Sequence, residues 1–130
     1  MKKLKCHCGV VEAEIKINEI SKILKCNCSI CKRKGAIMSM VNNENFKIIR
    51  GEDKLKLYQF HSKIAKHFFC SICGIYTHHN PRSNPSMTGF NLGCIDVIDT
   101  FDLKDIQNLS FAIQEILVLL FLVLLFCLYS

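Results

Sequence analysis

Apolar and polar residues alternate with a period of two over the first stretch of the chain. Val11, Ala13, Ile15 and Ile17 are interleaved with Glu12, Glu14 and Lys16, the pattern of a strand with one face in a core and one in water. Similar runs at residues 36–41, 46–50, 55–60, 64–69 and 75–79 predict further strands, and another begins near Met87 and extends to Leu92. The breaks are polar: Asn42-Asn43, Gly51-Glu52-Asp53, His61-Ser62-Lys63, which reads as a hairpin turn, and the Pro/Asn/Ser loop at 80–85. Helical spacing is weak before residue 100, with residues 19–24 the best candidate for a turn or two. No internal repeat is evident, and the predicted class is mainly β.

The end of the chain breaks this pattern. Residues 116–129 run for fourteen positions without a charge or an amide. As a helix they span about 21 Å, short of a hydrocarbon core of about 30 Å. A helix apolar on every side needs covering on every side, which a domain of this size can hardly supply. A packed or self-associating tail is the preferred expectation, ahead of membrane association and of a segment with no selected role. The organisation expected is one domain over residues 1–109 and an apolar tail over 110–130.

Composition narrows the class. A chain of 130 residues fits one domain, and 50% hydrophobic residues with only two prolines exclude global disorder. Nine cysteines and no tryptophan mean that cysteine carries much of the information. The basic opening, Met1-Lys2-Lys3-Leu4-Lys5, has no apolar run behind it, so it does not read as a secretory signal and the expected compartment is the cytoplasm. There, dense cysteines point to metal or catalysis rather than to disulfides.

Three clusters hold the chemistry: Cys6-His7-Cys8-Gly9, Cys26-Asn27-Cys28-Ser29-Ile30-Cys31 and Cys70-Ser71-Ile72-Cys73-Gly74. A C-x-x-C followed by glycine is a metal knuckle, the glycine freeing the backbone to turn beneath the sulfurs. C-x-C with C-x-x-C makes a closed four-sulfur site of the structural kind, whereas C-x-C-x-x-C offers three ligands and leaves a position open. One metal shared by four of the seven thiols is the alternative. A redox C-x-x-C is disfavoured, because the βαβ context it requires is lacking. Cys127, in the apolar run, reads as a small buried hydrophobe. Cys94 reads as core or as a thiol beside a site, in preference to a fourth ligand. Of the five histidines, His78 and His79 lie nearest to the third cluster and to the 80–85 loop, which makes them the candidates to line a site.

With these residues in place, the chain resembles the glutathione-dependent formaldehyde-activating enzymes, a family grouped with centromere protein V. The resemblance is carried by CHCGVVEAEI at 6–15, CNCSICKRKGA at 26–36, FFCSICGIYTHHNPRSNP at 68–85 and FNLGCID at 90–96, and it covers about residues 4–98. It implies a small zinc-bearing β-tent fold of short antiparallel strands. In such a fold Cys6, Cys8, Cys70 and Cys73 would bind a structural zinc, and Cys26, Cys28 and Cys31 a catalytic one. It further implies a carbon-sulfur lyase that condenses formaldehyde with glutathione to S-hydroxymethylglutathione. The polar β structure with which relatives continue past the last block is replaced here by the apolar tail, so a shortened C-terminal part is expected.

Charge bears on the partners. A zinc with a vacant position holds a coordinated thiol as thiolate or polarises a carbonyl. Three thiolate ligands weaken its Lewis acidity, which favours thiol capture. Glutathione is anionic, and Lys32, Arg33 and Lys34 follow Cys31 directly; Lys32 and Arg33, with His79 and Arg82, are the candidates to meet it. The net charge of +6 is uneven, +9 over residues 1–73 and −3 beyond. Two zinc sites of four and three thiolates bring the total to about +3. Sparse aromatics among the basic residues and the lack of a recognition-helix pattern argue against nucleic acid as the partner. A zinc-stabilised module without catalysis, associating with protein or chromatin, is the competing expectation.

Overall fold

A computed structural model describes residues 1–109 and 111–129 of the chain. The fold is mainly β. A three-stranded antiparallel sheet has β2 (Glu12–Ile15) at its centre, between β1 (Lys2–Lys5) and β5 (Phe46–Arg50). A seven-stranded sheet starts with β10 (Gln107–Leu109) at one edge, followed by β3 (Leu24–Cys26), β4 (Met38–Asn42) and β9 (Met87–Asn91). It continues through β8 (Tyr76–Asn80) and β7 (Lys66–Cys70) to β6 (Leu55–Tyr58). Its pairs are antiparallel except β10 with β3, which is parallel, so the sheet is mixed.

The alternation predicted for the first strand sets one wall of the core. Val11, Ala13 and Ile15 are fully buried, and Ala13 and Ile15 pack with Leu4, Val41, Phe90, Leu92 and Ile95 from the other elements. Glu12, on the opposite face of β2, is also buried. Its carboxylate accepts from Arg50 at 2.9 Å and pairs with Lys3 at 3.5 Å, so both flanking strands supply the charge that makes its burial tolerable. Arg50 also donates to the Gly9 carbonyl at 2.8 Å, tying β5 to the first cysteine turn.

The large sheet has two covered faces. Phe68 and His78 stack at 4.5 Å, and His78 lies 4.7 Å from Phe46 of the small sheet, so this face closes the core. The opposite face carries the cross-strand pair His67 and His79 and is crossed by α1 (Ser29–Lys34). Gly89 faces His79 across β8 and β9, and a side chain there would collide with the imidazole, so the missing Cβ makes room for that ring.

Several expectations require correction. Residues 19–24 do not form a helix; Leu24 instead begins β3 and is buried. The short helix is α1, which the cysteine spacing concealed. Strands β1, β3 and β10 escaped notice because each has three or four residues and too few apolar positions to show a period. The tail forms α2 (Phe111–Tyr129). Leu117 and residues 119–126 and 128 are exposed, so the domain does not cover these positions, and Cys127 is exposed rather than buried. Among the described residues no helix is long and apolar enough to cross a membrane.

Gly51 sits at φ 76°, where a Cβ would strike the carbonyl of Val10 in the first cysteine turn. Gly51→Ala is expected to cost about 1–3 kcal/mol, because neither the left-handed backbone nor the opposing backbone atom can yield cheaply. A urea midpoint equal to that of the unaltered protein would contradict this.

Candidate metal centre

Seven cysteines converge into two groups. Cys6 and Cys8 lie in the turn after β1, where the Gly9 amide donates to the Cys6 carbonyl at 3.0 Å. Cys70 closes β7 and Cys73 lies in the following turn, where the Gly74 amide donates to the Cys70 carbonyl at 2.8 Å. Both glycines are left-handed, at φ 76° and 73°. The two turns meet so that Cys6 Sγ lies 3.6 Å from Cys8 Sγ, which lies 3.8 Å from Cys70 Sγ. Four sulfurs about 2.3 Å from a zinc, arranged tetrahedrally, stand about 3.8 Å apart, so the donor set fits that ion. The Val11 amide donates to Cys6 Sγ at 3.3 Å.

Cys26, Cys28 and Cys31 form the second group, their sulfurs within 4.8 Å of one another. Cys26 ends β3, Cys28 is the residue from which α1 starts, and Cys31 lies one turn into that helix. Gly35 at φ 62° ends the helix and donates its amide to the Cys31 carbonyl at 3.1 Å. A hydrogen bond from the Cys31 thiol holds Cys26 down at about 5, and that bond together with burial pushes Cys31 far upward. Three thiols packed this closely suit a cation whose ligands bind as thiolates. Cys94 is buried outside both groups, its Sγ 3.6 Å from the Tyr76 carbonyl. All nine cysteines are free of disulfides.

The two groups differ in access. Beside the three-sulfur group lies a cleft of about 440 Å³ lined by Lys25, Cys26, Asn27, Cys31, Lys32 and Asn108 among others. Its lining combines two cations and two amides with apolar surface from Gly35, Ala36 and Leu109, so it offers an anionic ligand both charge and apolar contact. Lys32 is thus at the cleft. Arg33 turns the other way, donating to the Ser29 carbonyl at 2.8 Å and lining a second cleft with Tyr58 and Phe60. Arg82 is exposed in the loop after β8. His79 is buried, and its Nδ1 shares a hydrogen bond with the Tyr76 hydroxyl at 2.5 Å. His78 faces the opposite way, into the core.

Lys34, Tyr76 and His67 were not foreseen as a group. Lys34 Nζ donates to His67 Nδ1 at 2.9 Å and lies 3.8 Å from the centre of the Tyr76 ring. The available signal was helical spacing: Lys34 follows Cys31 by three residues and shares its face, whereas Lys32 and Arg33 do not. Burial lowers the Lys34 pKa, opposed by the charges of Cys31, Cys28 and Cys26. Burial, then the Lys34 charge, hold His67 near 4.

The sequence model of a family described as glutathione-dependent formaldehyde-activating enzyme matches residues 1–108. A solved crystal structure of a Rhodobacter sphaeroides protein is similar at 41% identity with a TM-score of 0.78. The similarity covers 82% of this chain and 99% of that one.

His78 has a folded pKa of about 4, depressed first by burial and then by Lys34, against 6.5 for the free side chain. Above pH 6.5 neither the folded nor the unfolded state binds this proton. Between 6.5 and about 4 only the unfolded state binds it, so stability falls as acid is added. One such histidine accounts for up to about 2 kcal/mol at pH 5. The loss of urea stability between pH 7 and pH 5 is expected to be smaller in His78→Phe, whose ring keeps the stacking with Phe68. Equal losses in both proteins would contradict the assignment.

Proposed function

Because the chain belongs to the glutathione-dependent formaldehyde-activating enzyme family, we propose that it is a zinc-dependent carbon-sulfur lyase acting on glutathione and formaldehyde. The observation that supports this reading is the inequality of the two sulfur groups: four sulfurs converge where two turns meet, and three stand beside a basic cleft. In this reading Cys6, Cys8, Cys70 and Cys73 hold a structural zinc. Cys26, Cys28 and Cys31 would hold the second, whose chemistry would be to lower the pKa of a guest thiol.

The remaining work falls to the chain. Lys25 and Lys32 meet the carboxylates of glutathione, and Asn27 and Asn108 its peptide groups, fixing the thiol against the cluster. The new bond joins the glutathione sulfur to the formaldehyde carbon, and the carbonyl oxygen takes up the proton that the thiol gave up, so the product is S-hydroxymethylglutathione. Cleavage of the same bond is the reverse, lyase direction. His79, fixed by Tyr76, lies under the helix that carries Cys31 and steadies that floor. Arg33 and Arg82 lie farther from the cleft lining and act on the approach of an anion. Residues 1–109 form the catalytic unit and 110–130 an apolar tail. Free thiols throughout suit a reducing compartment such as the cytoplasm.

Elemental analysis is expected to give two zincs per chain, and calorimetry a single glutathione site. Cys28→Ser, still folded, is expected to retain about one zinc and to lose formation of S-hydroxymethylglutathione at least a hundredfold. Two zincs with no glutathione binding would replace the lyase with a zinc-stabilised, non-catalytic module, and unchanged turnover in Cys28→Ser would remove the three-sulfur group from the reaction.

A further inference from the structure

Three thiolates around a divalent ion carry a net charge of −1, and a fourth thiolate makes it −2. In a partly buried site that second charge is costly unless a fixed cation faces it. The three basic residues after Cys31 are not equivalent in this respect. Lys32 and Arg33 are exposed, whereas Lys34 is half-buried and follows Cys31 by three positions on the same helix, the spacing that puts two residues on one face. Among the described residues no carboxylate pairs with Lys34. Its ammonium rests instead on two neutral groups that accept a cation, His67 Nδ1 at 2.9 Å and the face of Tyr76 at 3.8 Å. Burial works against its charge, and the charges of Cys31, Cys28 and Cys26 work in its favour. The neighbouring imidazoles, His67 and His79, are buried and compete with it for no counter-ion.

We infer that Lys34 is the fixed counter-charge of the three-sulfur group, a positioning residue that selects an anionic sulfur ligand over a neutral nitrogen ligand at the open position. This rests on the metal-holding role proposed for Cys26, Cys28 and Cys31. The pairing is electrostatic and acts through the cluster, since the cleft lining is formed by other residues, Lys25 and Lys32 among them. Lys34 therefore sets which class of ligand the cluster accepts, while the cleft sets which molecule bearing that group fits.

The test uses the full chain loaded with cobalt(II), whose visible spectrum reports ligand exchange at an open thiolate site. Titration with 2-mercaptoethanol and with imidazole, at one pH, compares an anionic with a neutral ligand. In Lys34→Met and Lys34→Gln the apparent affinity for mercaptoethanol is expected to fall about tenfold while that for imidazole changes less than twofold. Lys34→Arg, which keeps the charge, is expected to retain the preference. An unchanged thiol affinity in the uncharged variants overturns the inference, and so does an equal fall for both ligands, which would mark Lys34 as packing only. A lyase failure reads differently. If the unaltered protein makes no S-hydroxymethylglutathione, the reaction is lost, but the thiol-to-imidazole ratio still reports the charge.

Discussion

The meeting of four sulfurs from two distant turns is the constraint on which the rest of the fold depends. One turn belongs to the small sheet and the other to the large one, and 62 residues separate Cys8 from Cys70. Apolar support is thin there, with Val11, Val10 and Leu55 packed around Cys6 and Cys70. A metal bound to these sulfurs would pin the two sheets to each other where burial alone is weakest, as metals do in domains too small to rely on a core. Arg50 and Gly51 brace the same corner from β5, one by a hydrogen bond to Gly9 and the other by letting the backbone pass close to Val10.

That corner fixes the relation of the sheets, and the relation of the sheets in turn positions the second group. Cys26, Cys28 and Cys31 stand on the far side of the large sheet, on a strand end and a six-residue helix that packs through Cys31 against Leu24 and Met38. The strands beneath contribute polar side chains where a plain core would place aliphatic ones. His67, Tyr76 and His79 form a layer of rings under α1, and Gly89 leaves space for one of them. His67 Nδ1 is matched to an ammonium and His79 Nδ1 to a hydroxyl, and no buried side-chain polar atom lacks a partner among the described residues.

Much of this was legible in the residues because it rests on short-range rules. The strand at 46–50 was read with its true bounds, the period-two face of residues 11–15 is the buried one, and the glycines after Cys8 and Cys73 take the left-handed turn that a knuckle requires. The division of seven thiols into four and three follows from counting ligands, and the same two sets meet in space. What escaped depends on long-range placement. Helical spacing puts Lys34 rather than Lys32 on the face of Cys31, but its partners His67 and Tyr76 come from distant strands that nothing local announces. Nothing in Gln107-Asn108-Leu109 announces a strand until β3 is there to pair with it. The tail was legible as apolar and helical, and as more than a domain of this size can cover, in keeping with the exposure of Leu117 and residues 119–126.

The parallel pairing of β10 with β3 places Asn108 and Leu109 in the wall of the cleft beside Cys26. This wall is delivered by the last stretch of the folded unit rather than by the elements that bear the sulfurs. Both sulfur sets are complete by Cys73, whereas the enclosure around the second is finished only by residues some thirty-five positions later. Ligation and enclosure are therefore separable along the chain: a nascent polypeptide has every sulfur in hand well before it owns the rim that holds a guest, and variation in that rim can retune what is admitted without disturbing a single ligand.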